Sequence, residues 1–230
     1  PGTSILTIHM GCGVDRAGVR AIGQMDDAGL LGPDLTFVHA SKSSDDEFRA
    51  MAANGVSISV APQQELTMGH IGPTPIDRTR ALGITMGLSS DTEAAGAGDL
   101  FTQMRMGLAA HRTLVNEGYS TFAEEPSDLT TEEMFEMATM GGARVLGLER
   151  TIGSLAAGKA ADLIFIRASD VNLFPVAEPR AAIVASAHSG NVDSVMVAGV
   201  FRKRHGALVG TTLDDLRDRI EESHNRLLTD

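Results

Sequence analysis

Short apolar runs that end in polar residues dominate the first part of the chain. Each run has the length of a β-strand, and longer segments of helical character separate one run from the next. This alternation predicts βα units that build a parallel sheet. The four runs, each given with the polar residues that follow it, are Ser4–Ile8 before His9, Leu35–Val38 before His39, Val56–Ala61 before Pro62 to Glu65, and Ile84–Ser90 before Asp91.

Helices are predicted between and after these strands. Ser44 and Glu47 have the spacing of a capping box, and Thr130 and Glu133 repeat that spacing. Apolar residues recur at helical intervals in the longest segment, which indicates one buried side. The predicted helices are Asp15–Leu30, Asp45–Ala53, Thr74–Leu82, Asp99–Asn116 and Thr131–Met140.

The number of strands decides whether the sheet can close. A closed (β/α)8 barrel needs eight parallel strands and typically about 250 residues. Residues 1–148 supply four such strands. The pattern therefore predicts an α/β fold that is either half of a barrel or a different, open sheet.

The pattern changes after residue 148. Two β-type runs, Ala161–Ile166 and Val192–Phe201, are separated by turns containing Gly and Pro and predict a small β module over residues 149–209. Over residues 210–230 the spacing predicts an amphipathic helix packed on the body of the protein, with a partner-binding helix as the alternative. The apolar positions of that helix are Leu213, Leu216, Ile220 and Leu227.

Composition and charge narrow the possible partners. The formal net charge is −11, whereas a nucleic-acid surface needs clustered Lys and Arg, so we expect no nucleic-acid partner. The single cysteine, Cys12, permits no disulfide within the chain, which suits a reducing, cytoplasmic compartment. No apolar run approaches the roughly 18 residues of a membrane span, and the first residues do not have the pattern of a signal peptide.

Polar residues at the ends of the predicted strands are the candidate chemistry. Parallel strands of a barrel place their carboxyl ends around one pocket, so we expect His9, His39 and Asp91 to lie close together. Imidazole and carboxylate groups are ligands of zinc or iron, and a carboxylate can also accept a proton from water. A single His after a strand is more often structural, so the coincidence of three such residues is what favours a site.

The segment Pro62–Pro75, predicted as a loop, adds further polar residues. It contains Glu65 and His70, and its glycines Gly69 and Gly72 allow sharp turns. Loops that follow barrel strands often carry function. The alternative interpretation is a surface loop with incidental polar residues.

Three parts of the sequence resemble the metal-dependent amidohydrolase superfamily, in particular its cytosine deaminase, S-adenosylhomocysteine deaminase and chlorotriazine hydrolase branch. Histidines close two successive strands in ILTIH and LTFVHA, and GITMGLSSD resembles the Gly-rich strand that ends in the family's metal-binding Asp. IGSLAAGKAADLIFI, followed by VDSVMVAGVFRKRHGAL, resembles the family's β-sandwich tail and is the most specific part. The resemblance covers nearly the whole chain and implies the C-terminal half of a (β/α)8 barrel followed by a small β-sandwich module.

The resemblance also implies a role for each candidate residue. His9 would be the metal ligand from the fifth barrel strand, and His39 would contact the hydrolytic water or the substrate from the sixth. Asp91 would be the metal ligand and general base from the eighth strand. The metal would be one divalent ion, zinc or iron, and Glu65 with His70 would shape the substrate end of the site.

Two departures from the family pattern affect these implications. No His-x-His pair occurs in the sequence, so two expected metal ligands are missing and the ligand set of this chain is incomplete. Deaminases of this group place a Glu three residues after the fifth-strand His, and this chain has Cys12 there. We hypothesise that Glu65, assisted by His70, replaces that proton-transferring carboxylate.

Residues and resemblance together lead to a functional prediction. We expect hydrolysis of a non-peptide C–N bond by metal-activated water, in a small polar nitrogen-containing substrate such as a heterocycle or cyclic amide. The alternatives are a catalytically inert fragment or a binding protein on the same scaffold. An open half-barrel would expose strand edges, so a homo-oligomer, or pairing with the missing N-terminal half, is also expected.

Overall fold

Four strands form a parallel sheet in the first part of the chain, in a computed structural model that describes residues 4–12, 20–119 and 129–229. Each strand pairs with the next one along the chain, with Thr7 opposite Thr36 and Ser59 opposite Gly87. The predicted strands and their parallel arrangement are confirmed. They are β1 (Leu6–Met10), β2 (Leu35–His39), β3 (Ser57–Val60) and β4 (Met86–Leu88).

Helices connect and follow these strands. Both predicted capping boxes are present, because the hydroxyls of Ser44 and Thr130 accept the backbone N–H of Glu47 and Glu133, whose carboxylates accept in return. The helices are α1 (Ala21–Asp27), α2 (Asp45–Asn54), α3 (Pro62–Thr67), α4 (Ile76–Ala81), α5 (Leu100–Tyr119), α6 (Thr131–Glu136) and α7 (Gly142–Val145), with a π-helical turn at Met137–Gly141.

Two predicted segments differ from the structure. The segment Pro62–Pro75 was expected to be a loop, but it begins with α3, because proline fits the first turn of a helix, where no intrahelical N–H donor is needed. The helix predicted over Asp15–Leu30 is α1 within the described residues, and its beginning falls on residues 13–19, outside them.

The hydrophobic core lies between the parallel sheet and the helices on one of its faces. Side chains of β2, β3 and α2 belong to one cluster of buried apolar residues in this core. Such completely buried side chains fix the strands rigidly and thereby fix the residues at their ends. The residues with no exposed surface include Phe37 and Ile58 from the strands and Phe48 and Met51 from α2.

A second, antiparallel sheet follows in the chain. The predicted run Val192–Phe201 is two strands, because the chain reverses at Ala198 and Gly199, both at positive φ. Helix α8 (Pro179–Ala185) precedes this hairpin and packs against α5 and α6. The strands are β5 (Leu163–Ile166), β6 (Val192–Val197), β7 (Val200–Arg204) and β8 (Ala207–Leu208), paired in that order.

The last helix, α9 (Leu213–Thr229), confirms the predicted amphipathic helix but not its packing on the body of the protein. Leu213 is 63% exposed, Ile220 is 66% exposed and Leu227 is 78% exposed. Three of the four predicted apolar positions are therefore exposed, and the fourth, Leu216, is partly buried. Helical spacing determines where a stripe lies, but it cannot determine whether a partner surface is present.

Within the described residues, the parallel sheet has β1 at one edge and β4 at the other. The barrel, the β-sandwich and the domain limits at residues 148 and 209 stay predictions. None of the helices in the described ranges combines the length and the apolar character required to span a membrane.

Candidate active site

His39 is one of two deeply buried residues of the predicted site, together with Glu65. It is the last residue of β2, it is 2% exposed, and its backbone has a left-handed φ of 67°. Its Nδ1 lies 3.0 Å from Oε1 of Glu65, and its Nε2 lies 3.7 Å from Oδ2 of Asp91. One imidazole is therefore placed between two carboxylates that come from later parts of the chain.

Glu65 reaches His39 from α3, the short helix that follows β3. Its Oε1 also accepts the backbone N–H of Ala61 at 2.9 Å, so this oxygen has two partners. The residue is 2% exposed, and Oε2 is a buried oxygen without a hydrogen-bond partner in the described residues. The position of Glu65 behind His39 suits a carboxylate that orients the imidazole.

Asp91 follows β4 and lies on the more open side of His39. Its side chain is 25% exposed, and its backbone N–H donates to the Ser89 hydroxyl at 3.1 Å. Its φ of 52° is left-handed, as it is for His39 and Ala40. Positive φ is uncommon for residues other than glycine, and such strained positions cluster at functional sites.

His9 lies on β1 beside this group. Its ring centroid is 5.5 Å from that of His39, with the two planes tilted by 56°. The register of β1 with β2 produces this proximity, because it places His9 opposite Val38, next to the strand end. The structure thus brings together His9, His39 and Asp91, as the sequence predicts, and adds Glu65 to them.

His70 is not joined to this group. Its side chain is exposed, and its Nδ1 lies 2.8 Å from the carbonyl oxygen of Met68. In the described parts of the chain, no hydrogen bond or ion pair connects it to His39, Glu65 or Asp91. Its predicted role in catalysis stays a prediction.

Cys12, which stands where the deaminase pattern has a Glu, is a free and partly buried cysteine beyond β1. The preceding residue, Gly11, has a φ of 57°, and its backbone lies directly against Ser43 and Ala40. A Cβ at Gly11 would collide with the Ser43 hydroxyl. The turn before Cys12 is therefore crowded.

The side chains fit part of a zinc site. His9 supplies an imidazole and Asp91 a carboxylate, which are donor types that zinc accepts. Across the described ranges, no group of three or more His, Cys, Asp or Glu side chains is arranged to hold a metal ion. Zinc sites in proteins normally use three or four protein ligands, so these residues do not complete one.

Sequence patterns gave no indication of two residues that support the site. Arg78 of α4 donates to the carbonyl oxygens of Ser41 at 2.6 Å and Ser43 at 2.7 Å, which fixes the loop after His39. Burial lowers the pKa of Arg78, and the nearby Asp45 carboxylate opposes that shift. Gln64, beside Glu65, donates to backbone carbonyls around Asp91. Both contacts join residues more than 25 positions apart, beyond the reach of local spacing.

The chain belongs to the amidohydrolase family, because the model of that family matches residues 16–202. This match includes β2, β3, β4 and most of the second sheet. The resemblance drawn from the strand-end residues and the Gly-Lys turn is confirmed.

Sequence relatives are deaminases of adenosine derivatives. A 5-methylthioadenosine/S-adenosylhomocysteine deaminase of Desulforudis audaxviator is 31% identical over 211 residues, which are 92% of this chain and 47% of the relative. A 5'-deoxyadenosine deaminase of Methanobrevibacter smithii is 32% identical over 200 residues, 86% of this chain and 43% of the relative. The chain thus spans about half the length of these relatives.

Solved structures share the fold. An adenosine deaminase of Xanthomonas campestris with bound zinc has a TM-score of 0.87 at 22% identity, over 98% of this chain and 51% of that one. A variant of the atrazine chlorohydrolase of Arthrobacter aurescens, in complex with zinc and atraton, has a TM-score of 0.74 at 26% identity. That alignment covers 85% of this chain and 42% of the other. Zinc is bound in both of these neighbours.

Proposed function

We propose that this chain is part of an amidohydrolase-type enzyme that hydrolyses a non-peptide C–N bond in a small nitrogen-containing ring compound. The observation that carries the proposal is His39, held between Glu65 and Asp91 at the carboxyl ends of parallel strands in a member of the amidohydrolase family. The relatives that act on adenosine derivatives support a heterocyclic substrate. Deamination and cyclic-amide hydrolysis are both compatible with this chemistry.

The hydrogen bonds around His39 favour one tautomer of its neutral ring. Oε1 of Glu65 already accepts the Ala61 N–H, so this oxygen acts as an acceptor and Nδ1 of His39 is the donor. In a neutral imidazole, Nε2 then carries a lone pair and faces Oδ2 of Asp91. Two acceptors cannot hydrogen-bond to each other, but at a separation of 3.7 Å they can both accept from one water molecule.

Each residue of the group then has a distinct task. Asp91, the more exposed carboxylate, accepts a proton from the hydrolytic water, and His39 orients that water or the substrate. Glu65 acts through His39 by fixing the ring. His70, on the exposed segment after α3, contacts the substrate end of the site.

Zinc, or iron, is the proposed metal, with His9 and Asp91 as two of its ligands. When bound, such an ion makes water acidic enough to lose a proton near neutral pH. The zinc present in the two neighbouring structures supports this choice. The remaining ligands are proposed to come from outside this chain.

The proposal also assigns the fold of the complete enzyme. Residues 1–148 are taken as the C-terminal half of a (β/α)8 barrel, residues 149–209 as part of a β-sandwich, and the complementary half as its N-terminal partner. Support comes from the coverage of about half of each relative and from the unpaired edges of β1 and β4 within the described residues. Pairing with a second copy of the chain is the alternative, and a cytoplasmic location stays a prediction.

The function is tested by measuring zinc per active site and ammonia release from 5'-deoxyadenosine in the complete enzyme. We expect near-stoichiometric zinc and turnover that falls by about 10²–10⁴-fold in Asp91→Asn, because proton transfer by a positioned carboxylate contributes about that much. Asp46→Asn, an exposed carboxylate on α2, is the matched control and should leave turnover unchanged. Absence of C–N hydrolysis in a zinc-loaded enzyme, tested on amino-substituted and cyclic-amide substrates, would overturn the proposal.

The pairing is tested by sedimentation of the isolated chain. We expect a dimer, or a one-to-one complex once the N-terminal half is added, because either one covers the strand edges. A stable monomer that ignores the added half would contradict the pairing, without bearing on the hydrolytic chemistry.

A further inference from the structure

Buried glutamines connect α5 with the end of β4. Gln64 of α3 and Gln103 of α5 have no exposed surface. Both side chains are polar but uncharged, and neither belongs to the predicted site. A buried amide without partners costs about 1–3 kcal/mol, so its hydrogen bonds define which way it faces. Those bonds lead directly to Asp91.

The amide of Gln64 holds the backbone on both sides of Asp91. Its Nε2 donates to the carbonyl oxygen of Ser90 at 2.7 Å and to that of Thr92 at 3.3 Å. Its Oε1 accepts from Nε2 of Gln103 at 3.2 Å. Since the donor and the acceptor of this amide are both used, its orientation is fixed.

Gln103 is itself held in place. Its Oε1 accepts the backbone N–H of Gln63 at 2.9 Å, so the chain of hydrogen bonds runs from α5 to α3 and on to the residues after β4. The side-chain oxygen of Gln63 accepts the N–H of Ala97 at 2.8 Å and, at 3.5 Å, also accepts from Nε2 of Gln103, so it joins the network without touching the residues around Asp91. The hydrogen bonds to the residues on either side of Asp91 therefore come from Gln64, whereas the hydrogen bond to Ala97 comes from Gln63.

Asp91 has an uncommon backbone conformation. Its left-handed φ of 52° is rare outside glycine, and although aspartate adopts it more readily than most residues, such positions persist where their surroundings support them. The hydrogen bond from Asp91 to Ser89 is local and spans two residues. Gln64 provides the link from this strained turn to the buried part of the protein.

We propose that Gln64 is a positioning residue for Asp91 and that α3 sets the relative placement of His39 and Asp91. Two adjacent residues of this helix act on the two members: Glu65 holds the ring of His39, and Gln64 holds the backbone of Asp91. One turn of α3 thereby fixes the separation between Nε2 of His39 and Oδ2 of Asp91. The catalytic consequence rests on the proposed function, whereas the positioning does not.

The positioning is tested by ¹⁵N NMR of the histidine rings in metal-free protein at one fixed pH. The His39 signal, assigned by its loss in His39→Gln, reports on the carboxylate that faces it. Gln64→Met removes both donated hydrogen bonds at nearly constant volume. We expect it to move the Nε2 resonance in the same direction as Asp91→Asn and at least half as far, whereas Gln63→Met, the matched control, leaves that resonance in place.

Gln64→Glu provides a second variant if Gln64→Met does not fold. A glutamate keeps the shape and can still accept from Gln103, but it cannot donate to the two carbonyl oxygens when ionised. A folded Gln64 variant with an unchanged His39 resonance, even one with a lower Tm, would overturn the proposal by showing a merely structural role.

In the complete enzyme, both Gln64 variants should lower kcat by about 10–100-fold and change KM less, as expected for residues that orient those at a reactive centre. An unchanged kcat would contradict the catalytic consequence. If the wild-type protein hydrolyses no C–N bond, the proposed function fails, and the NMR comparison still decides whether Gln64 positions Asp91.

Discussion

The two strands that carry the site histidines have very different surroundings. β2 is paired on both edges, four of its five residues are buried, and His39 at its end is 2% exposed. β1 is paired on one edge within the described residues, three of its five residues are exposed, and His9 is one of them. The same residue type at the same end of neighbouring strands is thus enclosed in one case and open in the other.

This difference shows which part of the site the chain completes by itself. Around His39, long-range contacts from α3, α4 and the residues after β4 specify the side chain and the backbone. Around His9, the described contact is the tilted ring of His39. The His39 side therefore has a fixed geometry, whereas the proposed ligand His9 lies at the edge where the rest of a barrel would attach.

The largest expected effect compares the two strands directly. Phe37→Ala in β2, where the ring is completely buried, should lower the free energy of unfolding by about 3–5 kcal/mol because it leaves a cavity. Leu6→Ala in β1, where the side chain is 56% exposed, should cost less than about 0.5 kcal/mol. Denaturant unfolding of the isolated chain measures both. Equal losses would show that β1 is already covered, and the contrast between the strands would disappear.

A smaller effect is expected for Glu65, which holds His39, and for the exposed His70. Glu65→Gln should lower kcat of the complete enzyme by about 10–100-fold, because the ring loses the carboxylate that orients it. His70→Gln should act mainly on KM, since the exposed ring is proposed to contact substrate. Steady-state kinetics separates the two parameters, with Glu221→Gln on the exposed α9 as the control. Unchanged turnover in Glu65→Gln would rule out its proposed role.

The smallest effect concerns the partly buried contact between Glu133 and Arg80. Burial alone would raise the pKa of Glu133, but hydrogen bonds from Thr130 and Arg80 and the charge of Arg80 lower it on balance. A carboxyl whose pKa is lowered by folding stabilises the protein above its unfolded pKa, about 4.3, and this contribution is lost as the pH falls through the folded value. Glu133→Gln should therefore flatten the acid side of the stability profile.

Unfolding free energies measured between about pH 3 and pH 6 test this prediction, because that range spans the titration of glutamate. Glu132→Gln, one position earlier and exposed, serves as the control. An identical pH profile for Glu133→Gln and the wild-type chain would show that the capping box and its Arg80 contact contribute nothing through charge.

Local sequence was sufficient for the elements whose stabilising interactions are local. Ser44 and Glu47 lie three residues apart and satisfy each other within one helical turn, so their spacing predicts the start of α2. Alternation and run length similarly placed His9, His39 and Asp91 at or near the carboxyl ends of strands. The side-chain pattern failed at Pro62–Pro75, where polar residues concealed a helix that turns Gln64 and Glu65 inward.

The sequence by itself determined the order of strands, the family and the residue types that gather at the strand ends. Only the tertiary structure decided that Glu65 holds His39 and that Gln64 holds the turn at Asp91. It also decided that Arg78 fixes the loop after His39 and that α9 lies exposed. The physical reason is the separation along the sequence between the residues that interact. Hydrogen-bonded turns and periodic faces depend on neighbours within a few residues, whereas a buried amide or carboxylate takes its role from partners that only folding brings close.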